Sequence, residues 1–371
     1  MVRVRSGGST GAPKTLHRPI ETWVTSAQLE AQAFGLSAQD RFAVLGSPSH
    51  SLWGYAHFRA AQLGALCVGL SVSDIAAWSV SAQQKCNAVA PTVLYGVPEL
   101  VATFVRQLQR HAQPALNVRM VLLGGGPIST LFPMSLMRST FPNTSVWSFY
   151  GTAETSFIGY RRLDPADSDG ALAGDEDRSQ GSQCVHSNHS GSKPGEASPF
   201  VLFPSVELDI RAEDDRGAIG EIWVRSPMTI APEKWVGTGD LGRWAPSGRF
   251  CLLGRAARQL VIKGEKYLVE PIEQALMQRS DLARVALLAN SQGQVCCVSV
   301  GCSVEAEGGA DRSATAHGLS LERVNAACRD HDPGFPGVRR VITLAAKDWP
   351  ITPAGKTNFV ALREILEGVN T

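Results

Sequence analysis

A surplus of charge of either sign is missing from this 371-residue sequence: 35 Lys and Arg face 34 Asp and Glu, a formal net charge of +1. Such a chain has no basic excess with which to neutralise a nucleic-acid backbone or an anionic bilayer surface, so neither is an expected partner. Long apolar runs are missing too, and none approaches the roughly 20 residues that span a bilayer. The opening Met1-Val2-Arg3-Val4-Arg5 has no apolar stretch behind its basic residues and does not read as a secretory signal. Cysteine is sparse: eight are scattered along the chain, too dispersed for a disulfide framework, and the expectation is reduced thiols in the cytoplasm. Internal repeats are absent, which excludes a solenoid. What is present is ordinary globular material, 44% hydrophobic and 19% charged, long enough for a large core and two domains.

Short apolar runs at 41–45, 92–95, 118–123 and 145–149 alternate with amphipathic stretches at 57–66, 99–111 and 129–140. Strand and helix in alternation predict a mostly parallel sheet covered by helices, with ligands at the carboxyl ends of its strands. Residues 164–198, rich in Ser, Gly, Asp and His, read as a long mobile loop. Strand-like runs follow at 200–211, 219–225 and 249–253, with turns at 214–217 and 246–248. A second unit after Gly254 has strands near 259–263, 285–288 and 295–300 and helices near 270–278 and 320–329. The expected fold class is therefore α/β: a large domain (1–253) with a parallel-rich sheet and a β-rich part, then a small, mobile α+β domain (254–371).

The chemistry-bearing segments are rich in glycine. Ser6-Gly7-Gly8-Ser9-Thr10-Gly11-Ala12-Pro13-Lys14 offers close backbone approach, hydroxyl donors and a mobile cation, the ingredients of a phosphate cradle, although a Walker motif would need Gly-Lys-Ser/Thr. Locally, the run reads equally as a flexible turn. Gly124-Gly125-Gly126-Pro127 ends a strand run, and Ser129 stands where a dinucleotide fingerprint needs its third glycine, which rejects that reading. Tyr150-Gly151-Thr152-Ala153-Glu154, Thr238-Gly239-Asp240, Gly254-Arg255, Lys263-Gly264-Glu265-Lys266 and Pro353-Ala354-Gly355-Lys356 follow. Each also has a bland reading: Asp240 as a turn residue, Tyr150 as core with a wet hydroxyl, Lys356 as a solvated lysine. Cys184, His186 and His189 suggest a metal, but no fourth ligand is evident. Cys296-Cys297, inside an apolar run, reads as core.

Taken in order, these segments resemble the acyl-adenylate-forming, AMP-binding superfamily of acyl-CoA synthetases, peptide-synthetase adenylation domains and firefly luciferase. The resemblance runs from Ser6 to Lys356. It implies ATP-dependent activation of a small carboxylic acid to an acyl-adenylate, with Mg²⁺, then transfer to CoA or to the phosphopantetheine of an acyl carrier protein. It implies that Ser6, Gly7, Gly8, Ser9, Thr10, Gly11 and Lys14 hold the departing phosphates, with Gly125, Gly126, Gly151 and Thr152 bordering the nucleotide. Tyr150 would pack on adenine, Asp240 would accept from the ribose hydroxyls with Arg255 in support, and Glu154 would hold Mg²⁺. Lys356 would neutralise charge at the α-phosphate. His50, Trp53, Gly124 and Trp147 would line the acid pocket, and the two tryptophans suggest an aryl or short-to-medium acyl acid. Gly264 and Lys266 would border the thiol channel.

Three departures stand out. Ala153 replaces a Thr or Ser whose hydroxyl contacts phosphate in relatives, a loss of about 1–3 kcal/mol. Ala257 replaces a polar hinge residue. The phosphate loop begins at residue 6, where relatives carry well over a hundred residues before it, so a second copy or a partner subunit is expected to cover that flank. These departures keep open an alternative, a nucleotide-binding regulatory or assembly subunit with weak or no turnover.

Overall fold

The computed structural model describes residues 1–5, 15–111, 116–126, 128, 132–163, 199–212, 219–279, 282–301, 319–352 and 357–368. The phosphate-loop residues Ser6–Lys14, Pro127, Ser129, the 164–198 segment with Cys184, His186 and His189, the 214–217 turn and Lys356 lie outside them.

The chain enters as an antiparallel pair, β1 (Val2–Arg5) and β2 (Thr15–Arg18), whose register joins Arg5 to Thr15. After α1 (Ile20–Phe34) come β3 (Arg41–Gly46), α2 (Ser51–Leu63), β4 (Leu66–Ser71), α3 (Val72–Ala77) and α4 (Val80–Val89). Then follow β5 (Val93–Gly96), α5 (Pro98–Arg110), β6 (Met120–Leu123), α6 (Met134–Thr140), β7 (Ser145–Thr152), β8 (Ser156–Arg162) and β9 (Val201–Leu202). Among the described residues the largest sheet runs β4-β3-β5-β6-β7-β8-β9, parallel from β4 to β7 and antiparallel thereafter.

Period-two alternation splits this sheet's side chains between two cores. Phe42, Val44, Val93, Tyr95, Leu122, Trp147 and Phe149 face one apolar cluster, shared with α1 and α2. Ala43, Leu45, Leu94, Val121, Leu123 and Val146 face the other, under α3 to α6. Burial on both faces is why β5 (Val-Leu-Tyr-Gly) and β6 (Met-Val-Leu-Leu) are apolar at nearly every position. Pro98 starts α5, where a missing N–H costs nothing, and Val101, Phe104, Val105 and Leu108 form its buried stripe. Cys296 and Cys297 are buried as expected.

A second, antiparallel sheet runs β10 (Glu207–Arg211), β11 (Gly220–Arg225), β12 (Val236–Trp244), β13 (Phe250–Arg255). The remaining elements are a short 3₁₀ turn at Ala256–Arg258, the hairpin β14 (Leu260–Ile262) and β15 (Glu265–Tyr267), and α7 (Glu270–Arg279). Then come β16 (Leu282–Ala289), β17 (Val295–Gly301), α8 (Leu321–His331), β18 (Arg340–Thr343) and α9 (Phe359–Gly368), with β16-β17-β18 forming a third sheet.

Candidate active site

The carboxyl ends of β5, β6 and β7 bring Gly96, Gly124–Gly125 and Tyr150–Gly151 to one edge of the large sheet. Gly124 donates its N–H to Gly96 O at 3.1 Å. A Cβ on Gly124 would land on the ring of Phe149, and Gly125 has φ of +77°, so both glycines answer a steric demand. Gly151 is equally constrained, since a Cβ there would overlap Ser156 O.

Just beyond β7 the chain reverses in a turn that projects Glu154. Thr152 Oγ1 accepts from the N–H groups of Glu154 and Thr155, both at 3.2 Å, and Thr155 Oγ1 accepts from Thr152 N–H at 3.2 Å. Ile230 N–H donates to Glu154 O at 2.8 Å. The Glu154 carboxylate has no hydrogen-bond donor among the described residues, and no cluster of three or more His, Cys, Asp or Glu side chains is found there. A single half-buried carboxylate suits Mg²⁺, which is held through one or two carboxylates plus phosphate oxygens.

The second sheet supplies the other half of the site. Asp240 and Arg255 are cross-strand neighbours on β12 and β13, so register alone sets them side by side. Arg255 Nε lies 2.7 Å from Asp240 Oδ1, and Tyr150 Oη donates to Asp240 Oδ2 at 2.6 Å. Burial and the adjacent Asp240 charge push the Tyr150 hydroxyl well above its ordinary value, so it stays a donor. Thr238 Oγ1 accepts from Asp240 N–H at 3.0 Å and donates to Ile222 O at 2.9 Å, which fixes the strand beneath the carboxylate. Three of the predicted nucleotide residues thus meet directly. The Tyr150 ring is packed between Phe200 and Phe250, with centroids 6.1 and 6.0 Å away.

The predicted acid-pocket residues come from several elements, with Trp147 in the core cluster shared with α1 and α2 and Trp53 packed against it. The Trp53 ring lies where a Gly69 side chain on β4 would be and packs at a tilt on His57, with centroids 4.9 Å apart. Trp147, on β7, is buried against Phe34 and Tyr160. β3, β5 and β6 separate β4 from β7, a backbone distance of about 19 Å at ~4.8 Å per strand. His50 caps α2, its Nδ1 accepting from Leu52 N–H at 3.2 Å. Gly264 and Lys266 sit on the exposed β14–β15 hairpin, whose turn takes Lys263 and Gly264 to φ of +53° and +88°.

Two groups escaped sequence reasoning. Arg18 is 2% exposed, and its guanidinium reaches the Glu154 turn. The other is Glu270, at the start of α7. Its Oε2 accepts from Arg255 N–H at 2.6 Å, and burial together with neighbouring Glu273 pushes its carboxyl up to about 7. Arg258, in the turn that follows β13, pairs with Glu273 and covers the Phe359 ring at 3.7 Å. A Cβ on Gly254, whose φ is +132°, would coincide with Glu270 Oε2. Gly254→Ala is therefore expected to displace Glu270 and loosen Arg255, lowering the urea midpoint of unfolding by the equivalent of about 1–3 kcal/mol. Equal midpoints for wild type and variant would overturn that expectation.

The family model for the AMP-binding enzyme matches residues 6–232. An uncharacterised acyl–CoA ligase of Bacillus subtilis, YhfT, is 25% identical over 296 residues, covering 76% of this chain and 54% of the relative. The L-proline–[L-prolyl-carrier protein] ligase of Streptomyces coelicolor is 24% identical over 379 residues, covering 95% of this chain and 64% of that protein. The amide bond synthetase McbA of Marinactinospora thermotolerans shares the fold with a TM-score of 0.70 at 22% identity, covering 98% of this chain and 68% of McbA. The O-succinylbenzoate coenzyme A synthetase MenE of Bacillus subtilis, in complex with AMP, gives a TM-score of 0.64 at 19% identity, covering 97% and 68%. The chain spans about half the length of the first of these relatives. With a family match across more than half of its residues, and with Tyr150, Asp240 and Arg255 assembled beside the Glu154 turn, this chain belongs to the AMP-binding enzyme family.

Proposed function

We propose that this chain activates a carboxylic acid with ATP and then passes the acyl group to a thiol. The observation that carries this reading is the clasp of Asp240 by Tyr150 and Arg255, four residues along the chain from Glu154 at its Tyr150 end. In the first half-reaction a carboxylate oxygen attacks the α-phosphorus, the bond to the bridging oxygen breaks, and pyrophosphate leaves with its electron pair. Two anions must meet, so positioning and charge neutralisation supply the catalysis. Asp240 takes the ribose hydroxyls as acceptor. Its side chain is only 5% exposed whereas that of Arg255 is 41% exposed, so Arg255 is the open side of the pair and would support the sugar there. Glu154 would hold Mg²⁺, which would supply positive charge to offset that of the phosphates. Lys356 and the Ser6–Lys14 run are assigned to the α-phosphate and the leaving pyrophosphate. In the second half-reaction a thiol sulfur attacks the acyl carbonyl and AMP departs.

Relatives named as acyl–CoA ligases and as a carrier-protein ligase support CoA or a carrier phosphopantetheine as the acceptor, with Gly264 and Lys266 on the thiol's path. The split into units 1–253 and 254–371 puts the Arg255–Arg258 segment at the junction that would turn between half-reactions. The scattered cysteines fit reduced thiols, and a reducing compartment such as the cytoplasm is part of this reading. No helix among the described residues is long and apolar enough to cross a membrane.

Incubation with ATP, Mg²⁺, hydroxylamine and a panel of aryl, aliphatic and amino acids tests the reading. Hydroxamate from at least one acid, dependent on both ATP and Mg²⁺, is expected. Nucleotide binding without hydroxamate from any acid would turn the assignment to a regulatory or assembly subunit.

A further inference from the structure

The Arg18 guanidinium is a buried cation with no carboxylate within ion-pair distance among the described residues. Its Nε donates to Thr22 Oγ1 at 3.0 Å, Nη1 to Ala153 O at 3.0 Å, and Nη2 to Ser156 Oγ at 2.9 Å and to Met228 O. Those acceptors belong to four pieces of chain: the first turn of α1, the turn bearing Glu154, the start of β8, and the loop after β11. Trp23 covers the group at 5.9 Å from its ring centroid.

Burying a cation without a paired anion is costly, and an apolar side chain would fill a purely structural niche more cheaply. The arrangement costs enough to lower the Arg18 pKa to about 10, burial outweighing the nearby Tyr55 and Glu154. What the cation gains is geometric. A planar fork with five donors can fix several carbonyl and hydroxyl oxygens at once, which neither lysine nor an apolar residue can do. Ala153 O and Ser156 Oγ flank Glu154 on either side, and Ser156 Oγ also donates to Met228 O at 3.3 Å. The residues bracketing the Glu154 side chain are thus pinned by one guanidinium, while its own carboxylate is left without a donor among the described residues.

We propose that Arg18 is a positioning residue for the metal-holding carboxylate: it sets the Ala153–Ser156 turn so that Glu154 meets the Mg²⁺ of bound Mg·ATP. This rests on the adenylating reading of the site. Arg18 touches no substrate in this account. It acts through Glu154, so it governs the part of nucleotide affinity that depends on Mg²⁺ and leaves untouched the part that runs through Asp240 and Tyr150.

The test is calorimetric titration of the full chain with AMP, with ATP, and with ATP plus Mg²⁺. Wild type is expected to bind ATP more tightly when Mg²⁺ is present; absence of any such gain would overturn the inference and, if AMP also fails to bind, the adenylating reading as well. Arg18→Met is expected to keep AMP affinity within about twofold and to lose about 10–100-fold of the Mg²⁺-dependent gain, the scale of one or two charge-assisted hydrogen bonds. Arg18→Lys, which keeps the charge but not the fork, is expected to lose it as well, and a lysine variant with wild-type Mg·ATP affinity would overturn the inference. If Arg18→Met does not fold, Ser156→Ala and Thr22→Val carry the test: a weaker Mg²⁺-dependent gain in the first, with AMP affinity kept and with little change in the second, supports the role. Equal loss of AMP and Mg·ATP affinity in the folded variants would mean a general structural role and overturn it.

Discussion

Asp240→Ala is expected to weaken AMP and ATP binding by about 10²–10⁴-fold, in a protein that still folds. Two contributions add. The ribose loses a charged acceptor, and each charge-assisted hydrogen bond is worth about 1.5–3 kcal/mol, or about 10–100-fold in affinity. The variant also leaves the Tyr150 hydroxyl, in a ring 7% exposed, without its 2.6 Å acceptor, and frees Arg255 from a 2.7 Å partner. Asp240→Asn separates the two effects. Its amide oxygen can still accept from Tyr150 and keep the site's shape, while the charge that holds Arg255 is gone, so an intermediate loss is expected. Calorimetric titration with AMP measures both variants, and circular dichroism shows whether they fold. Wild-type AMP affinity in Asp240→Ala would remove Asp240 from the nucleotide site.

Much of this arrangement is legible in the sequence, for identifiable reasons. The apolar runs at 92–95 and 118–123 stand out because β5 and β6 are covered on both faces, and α5 because its buried positions repeat with helical spacing. The first helix escapes the same reading because three of its buried residues, Thr22, Ser26 and Glu30, are polar and break the apolar stripe. β12 escapes because Gly237, Gly239 and Gly242 look like turn residues. In the sheet, a Cβ on Gly242 would lie 2.7 Å from Ile222 Cδ1 and one on Gly237 3.2 Å from the Trp223 ring, so at these two positions glycine records close packing rather than a loop. At the site, glycine-flanked motifs locate Tyr150, Asp240 and Arg255, because strand ends and register carry them together. Trp53 and Trp147 are less legible: one lies on α2 and the other on β7, and only the fold shows that both contribute to the cluster shared with α1 and α2. Arg18 gives no signal at all, since Leu16-His17-Arg18-Pro19 resembles any polar approach to a helix, and only the fold buries it.

The largest stability effect is expected at Glu30, away from the nucleotide. Glu30 on α1 and Arg59 on α2 form an ion pair at 2.5 Å whose side chains are both 0% exposed. Tyr55 Oη donates to the other carboxylate oxygen at 2.8 Å, and the guanidinium is sandwiched 4.4 Å from the ring centroids of both Phe42 and Tyr95. Burial pushes the Glu30 carboxyl above the ordinary carboxylate range, while Arg59 and the Tyr55 hydroxyl pull it back. Among the described residues, two Arg59 nitrogens, Nε and Nη2, already lack a hydrogen-bond partner. Glu30→Ala would remove the one carboxylate that pairs with Arg59 among the described residues and strand the cation between two aromatic rings. A loss of about 3–5 kcal/mol is expected, a large share of the roughly 5–15 kcal/mol that holds a typical domain together. Glu30→Gln should cost less, because its one amide oxygen can still accept from Arg59 while its NH2 group faces the Tyr55 hydroxyl as a donor. Glu30→Leu combined with Arg59→Met should recover most of the loss, since removing both charges ends the desolvation cost that either one alone would leave. Urea unfolding of the four proteins at pH 7 measures the set. A double variant no more stable than Glu30→Ala would mean that the pair contributes directionality to the α1–α2 contact that apolar packing cannot replace.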